Sequence, residues 1–137
     1  MNREILFRGK EVSSQKWVYG FYVHVPCGRF GKDEHIIQTI SKNGRMATLY
    51  DVNSSTVGQF TGVTDKNGNK IFEGDIVDIL CENEETGLIE WDKDTARFIV
   101  SAYSFEADFD NYYGTDLEVI GNIHDNPELI KRDEQKN

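Results

Sequence analysis

Val57–Ile79 reads VGQFTGVTDKNGNKIFEGDIVDI, and the reading of this stretch decides the fold. Gly58, Gly62, Gly68 and Gly74 punctuate it, and acidic and amide side chains bunch between two apolar runs. Three readings compete: a metal loop, a phosphate cradle, or a device for turning the chain. A calcium loop of the EF-hand kind needs D-x-[DN]-x-[DN]-G and a bidentate Glu at its twelfth position. Asp65, Asn67 and Asn69 match the first three ligands, but Lys70 stands where the glycine belongs and Ile76 where the Glu belongs. A P-loop needs four residues between its glycines and then Lys-Ser/Thr. Gly58 and Gly62 enclose only Gln59, Phe60 and Thr61, and no lysine follows. What remains is a scaffold: a strand bent at its glycines, an Asn67-Gly68 hairpin, and a turn at Glu73–Asp75 that launches the next strand. The strand glycines are expected to relieve crowding where strands cross or bend.

The same style extends in both directions. KWVYGFYVHV alternates strictly, with Trp17, Tyr19, Phe21, Val23 and Val25 on one face and Val18, Gly20, Tyr22 and His24 on the other. Its aromatic and β-branched residues suit a strand. REILFR reads as a short strand before it; HIIQTI and RMATLYDV read as a pair around Asn43-Gly44, which offers the positive φ angles of a tight hairpin. Beyond the opening stretch, IVDILC, TGLIEW, ARFIVSAY and LEVIGNI read as strands, with DKDT closing a third hairpin. DNPELIKRDE carries helix-start signals: Asp125 or Asn126 as cap, Pro127 in the first turn and Glu128 at the positive end. Strands at this spacing indicate a mainly β, β-rich α+β fold. The expected organisation is an N-terminal β subdomain over 1–60, a small partly closed SH3-like barrel over 61–130 with the N-terminal sheet packed on it and a short C-terminal helix, and a flexible tail over 131–137. The expected core is Trp17, Phe21, Phe60, Phe72, Val77, Ile79, Ile89, Trp91, Phe98, Val119 and Ile123.

Composition narrows the function. The chain has 137 residues and a net charge of −9. Residues 1–60 hold eight Lys/Arg against five Asp/Glu, net +3; residues 61–137 hold seven against nineteen, net −12. An acidic half repels phosphate backbones, which disfavours ordinary nucleic-acid binding there. A basic patch of Arg3, Arg8, Lys10, Lys16 and Arg29 leaves weak nucleic-acid binding as an alternative for the first half. No apolar run reaches the length of a membrane span, about 18 residues, and the N-terminus lacks the apolar core of a signal peptide. The expected compartment is the cytoplasm of a host cell, where Cys27 and Cys81 are free thiols.

Chemistry has little to stand on. His24-x-x-Cys27 can chelate and His35 is close in sequence, but structural zinc wants four ligands, usually with paired cysteines. No metal site and no cofactor are expected. His124 beside Asp125 resembles a base and its orienter, yet adjacent strand residues face opposite sides. The carboxylate pairs Glu73/Asp75, Glu84/Glu85 and Asp92/Asp94 all fall in turns, where solvated acids are normal. No catalytic residue is assigned, and the chain is expected not to be an enzyme. The most unusual surface is YSFEADFDNYYGTD, Tyr103–Asp116. Read as a strand, it puts acids on one face and apolar residues on the other. Phe105, Glu106, Asp108, Phe109, Asp110, Tyr112 and Tyr113 are therefore the candidate partner surface, since aromatics with acidic neighbours can anchor and steer a basic protein.

The run Thr56–Val77 resembles the YopX family of phage and prophage proteins. The family pattern runs T-V-G-Q-[FY]-T-G, then D-K-N-G, then I-[FY]-E-G-D-I-V. Thr56–Gly62, Asp65–Gly68 and Ile71–Val77 match it, with Val63 where leucine is common. REILFRGK, GLIEWD and LEVIGNIHDNPELI are similar to other parts of the family, so the resemblance runs from Arg3 to Ile130. It implies a small β-rich protein encoded by phages of Gram-positive bacteria or their prophages, and it carries no catalytic residues over. The expected function is a non-enzymatic accessory protein that binds protein, self-associates and possesses a host or phage partner. The alternative is an acidic nucleic-acid mimic that occupies a host DNA-binding protein through Glu106, Asp108 and Asp110.

Overall fold

The computed structural model describes residues 3–81 and 85–130. The chain divides into two compact units, Met1–Phe60 and Thr61–Asn137. Both are built from antiparallel strands, so the mainly β expectation holds.

In the first unit, β1 (Phe7–Lys10), β2 (Trp17–Val25), β3 (Glu34–Ile40) and β4 (Ala47–Asp51) form a sheet in the order β4-β3-β2-β1. The start of β5 (Gly58–Thr64) pairs beside β1, Phe7 opposite Gln59 and Arg8 opposite Gly58. The alternation read from KWVYGFYVHV is present, but the buried face is the other one. Tyr22 lies opposite Ile37, which is fully buried, and Phe7 lies opposite Gly20 on that same face. Phe21, expected in the core, is 53% exposed. Trp17 is half-buried and stacks its ring under the Arg8 guanidinium at 4.6 Å. That contact keeps a buried arginine against an aromatic face.

In the second unit the remainder of β5 pairs with β6 (Lys70–Phe72). A five-stranded sheet follows, ordered β10-β9-β8-β7-β11, from β7 (Asp75–Ile79), β8 (Glu85–Asp92), β9 (Arg97–Ala102), β10 (Glu106–Asp108) and β11 (Leu117–Asn122). It is open, with β10 and β11 at its edges, and forms no closed barrel. Its core is Ile71, Val77, Ile79, Ile89, Val100, Phe109 and Leu117, with Val63, Phe98, Phe105, Tyr112 and Val119 packed against it. Each fully buried side chain of this size contributes about 1.5–3 kcal/mol. Trp91 shares the core face, opposite Phe98, but sits near the end of the row and stays 46% exposed. Its ring meets Phe98 edge-on at 5.0 Å.

The turns correct two details. At Asn43-Gly44 and Asn67-Gly68 only the glycine has positive φ, +71° and +83°. Gly68 N–H bonds Asp65 O at 3.0 Å and Asp65 N–H bonds Asn69 O at 2.8 Å. This is a wider turn ending in a left-handed glycine, not the two-residue primed turn. Gly62 is a glycine because of its φ of +94°: a Cβ there would meet nothing within 4 Å, so crowding is not the reason. At the C-terminal end, β11 stops at Asn122 and a helix opens at Glu128. Leu129 N–H bonds Asn126 O at 3.1 Å, while the Asn126 side chain accepts from Asn122 N–H instead of capping the helix. The tail expected over 131–137 and Glu84 of the acidic pairs lie outside the described residues.

Candidate functional site

The opening stretch is held by Asp65, which is 5% exposed. Its Oδ1 accepts from Asn67 N–H and Asn69 N–H, both at 2.9 Å, closing the turn on itself. Its Oδ2 accepts from Val119 N–H at 2.9 Å, tying the hairpin to β11. Burial pushes this carboxyl up, but the N–H groups of Val119, Asn69 and Asn67 together outweigh it, so it sits below the usual carboxylate range. Of the residues that mimic a calcium loop, Asp65 thus spends its carboxylate on backbone N–H groups, and Asn67 Nδ2 donates to Glu118 Oε2 at 3.2 Å. Asp75 is likewise no solvated turn acid: it opens β7, is 2% exposed, and accepts from Phe72 N–H at 2.7 Å. Asp92 matches its expectation better, capping the β8–β9 turn through Thr95 Oγ1 at 2.8 Å and Asp94 N–H at 3.0 Å.

The acidic-aromatic stretch does not form one long strand with two faces. Only Glu106–Asp108 is strand; Phe109–Asn111 and Gly114–Asp116 are single 3-10 turns. Phe109 is buried, and Phe105 and Tyr112 pack against the same core. Phe109 opens a 3-10 turn and is buried there, not on a continuing strand. Asp108 pairs with Arg97 at 2.8 Å. Glu106, Asp110 and Tyr113 remain exposed, Tyr113 at 81%. Of the expected partner-surface residues, Glu106, Asp110 and Tyr113 are thus exposed, while Phe105, Phe109 and Tyr112 belong to the core side.

The basic patch of the first half is also reduced. Arg8 is buried over Trp17, Lys10 lies 5.5 Å from the same ring, and Arg29 bonds Glu34 at 2.7 Å. Arg3 and Lys16 are exposed. His124 and Asp125 lie in a turn after β11, where Asn122 Oδ1 accepts both of their N–H groups at 3.0 and 2.9 Å. They are not strand neighbours.

Two further features of the first unit stand out. The first is an apolar sheet face. Tyr19, Phe21 and Val23 of β2, Ile40 of β3 and Leu49 of β4 are all exposed. Register places them together, because Phe21 lies opposite Gln38, Gln38 opposite Leu49, and Val23 opposite Ile36. The signal was in the strict alternation; what alternation lacks is which face the protein covers. The second feature is a row of rings on the opposite face. Phe7, Tyr22, His35 and His24 follow one another at centroid distances of 5.7, 6.0 and 4.4 Å. His24 and His35 are paired in register and stacked within 8° of parallel. Asp33 Oδ2 lies 3.3 Å from His24 Nε2, and the ligand atoms of His24, Asp33 and His35 all fall within 4.8 Å of one another. Sequence spacing had grouped Cys27 with these histidines; the structure substitutes Asp33, whose Oδ1 accepts from Cys27 N–H at 3.4 Å.

In the second unit an open groove of about 410 Å³ is lined by Thr86, Leu88, Glu90, Ser101, Ala102, Tyr103 and Ile130. Its polar pair is Ser101 Oγ donating to Glu90 at 2.9 Å. No helix among the described residues is long and apolar enough to cross a membrane.

The YopX protein family model matches residues 6–131, and the chain belongs to that family. It is similar in fold to the crystal structure of protein EF1440 from Enterococcus faecalis. The identity is 23%, the TM-score is 0.59, and the match covers 94% of this chain and 99% of that one. No curated protein matches the chain.

Proposed function

We propose that this chain is a phage-type accessory protein that acts by binding protein and not by catalysis, and that it assembles as a homo-oligomer. The observation that carries this reading is the apolar face of the first sheet. Phe21 and Leu49 are 53% and 64% exposed, and they share that face with Tyr19, Val23 and Ile40. Soluble monomers rarely display a contiguous apolar patch without a partner for it. A two-fold contact lets one patch meet its own copy, so a single chain supplies both sides. β4 is the edge strand of the unit's sheet, and an edge beside an apolar face favours an isologous contact. The buried acids Asp65 and Asp75 bind backbone N–H groups, which fits a structural role for them.

Light scattering on the size-exclusion peak tests this. The expected mass is a multiple of the 15.7 kDa chain, and Phe21→Glu with Leu49→Glu should return it to the monomer while leaving far-UV circular dichroism unchanged. A wild-type protein that stays monomeric at every concentration sinks the self-association. An oligomer that survives both substitutions places its interface elsewhere.

A further inference from the structure

We infer that His24, Asp33 and His35 form a binding site for a divalent transition-metal ion, with two imidazole nitrogens and one carboxylate as ligands. The three come from a single device in the first unit: two antiparallel strands and the loop that joins them. Pairing of β2 with β3 sets His24 directly opposite His35, so both rings leave the sheet on one face. Their stacking at 4.4 Å brings them side by side. Asp33 precedes β3 by one residue and returns its carboxylate to His24.

The distances suit a metal after small rotations. A zinc ion bound at about 2.0–2.2 Å places tetrahedral ligand atoms about 3.3 Å apart. His24 Nε2 and Asp33 Oδ2 already stand at 3.3 Å, and the third atom is within 4.8 Å. The side chains of His24 and Asp33 are 43% and 60% exposed, which leaves them room to rotate and leaves the ion open to solvent. Three protein ligands with water completing the shell is the composition of an open site, not of a closed structural one. Imidazole and carboxylate together select zinc, nickel, cobalt and copper over magnesium or calcium, which take oxygen ligands.

The surroundings support the ligands. Tyr22 Oη stands 2.6 Å from His35 Nδ1. If the imidazole donates there, its Nε2 lone pair is left for the ion, which is the orienting contact that ligating histidines usually have. Asp33 Oδ1 accepts from Cys27 N–H at 3.4 Å, which holds the carboxylate beside His24. Glu34, the adjacent acid, is occupied by Arg29 at 2.7 Å. Arg29 of this loop is thus engaged by a carboxylate other than Asp33.

Titration calorimetry with zinc chloride tests the site on the full chain carrying Cys27→Ser and Cys81→Ser, which removes thiol binding. One equivalent should bind, and excess EDTA should release it. His24→Gln and Asp33→Asn should each lower the affinity at least about tenfold, Tyr22→Phe should lower it less, and His124→Gln should leave it unchanged. Both ligand variants alter exposed side chains, and circular dichroism verifies their fold. Absence of saturable binding, or binding that His24→Gln and Asp33→Asn leave intact, overturns the assignment.

Discussion

Replacing Asp65 should cost the protein more than any other exposed-looking turn acid. Three backbone donors converge on it at 2.9 Å, two from its own turn and one from β11. In Asp65→Ala, Asn67 and Asn69 are exposed and their N–H groups regain water. The Val119 N–H lies in a half-buried strand and regains it poorly. With roughly 1 kcal/mol for each turn donor and about 2 kcal/mol for the strand donor, the loss is about 4 kcal/mol. Asp65→Asn keeps one acceptor oxygen for the turn but sets an amide N–H against a backbone N–H, for a loss of about 2–3 kcal/mol. Urea unfolding followed by far-UV circular dichroism reads both. With a slope of about 2 kcal/mol per molar, the midpoint should fall by about 2 M for the alanine variant. The sign with pH follows from the depressed carboxyl. A group whose folded pKa lies below its unfolded value stabilises fully above that unfolded value, about 4 for Asp. Its contribution is lost as pH falls through the folded value. The gap between wild type and Asp65→Asn should therefore be widest near neutrality and shrink on acidification below about pH 4. An alanine variant within about 0.5 kcal/mol of wild type would refute the reasoning, because exposed turn acids behave that way.

Three further substitutions test neighbouring conclusions. Ala96 ends the β8–β9 turn at φ +56°, so Ala96→Gly should raise the urea midpoint, by about 0.5–1 kcal/mol of stability, since the strain of a left-handed Cβ is removed. Phe109→Ala should lose about 3–5 kcal/mol by emptying a buried ring's place, whereas Tyr113→Ala, at an 81% exposed ring, should stay within about 0.5 kcal/mol; equal effects would contradict the placement of this stretch.

Most strands were legible because their signals are local. β3, β4, β7, β8, β9 and β11 lie within a residue or two of the runs read from alternation and turn residues. β1 is shifted, Phe7–Lys10 in place of a strand beginning at Arg3, because its extent is set by partners β2 and β5 and not by its own pattern. The Tyr103–Asp116 stretch misled for a related reason. Apolar residues spaced two apart fit a strand, but 3-10 turns put Phe109 into the core all the same. His24 and Cys27 are near each other along one strand and its loop, whereas Asp33 of that loop and His35 of β3 come beside His24 through strand pairing.

The amino-acid sequence by itself determined that the chain is built of short antiparallel strands, that Val57–Ile79 is a scaffold element, and that the chain resembles the YopX family. Those conclusions rest on period-two alternation, turn residues and motif spacing, all readable within a few residues. Only the tertiary structure decided which face of each strand is covered. Alternation defines two faces without choosing between them, so Phe21 went outward and Ile37 inward. Only the register decided that His24 stands opposite His35. A slip of one residue would send the two rings to opposite faces of the sheet, and no property of either strand alone carries that information.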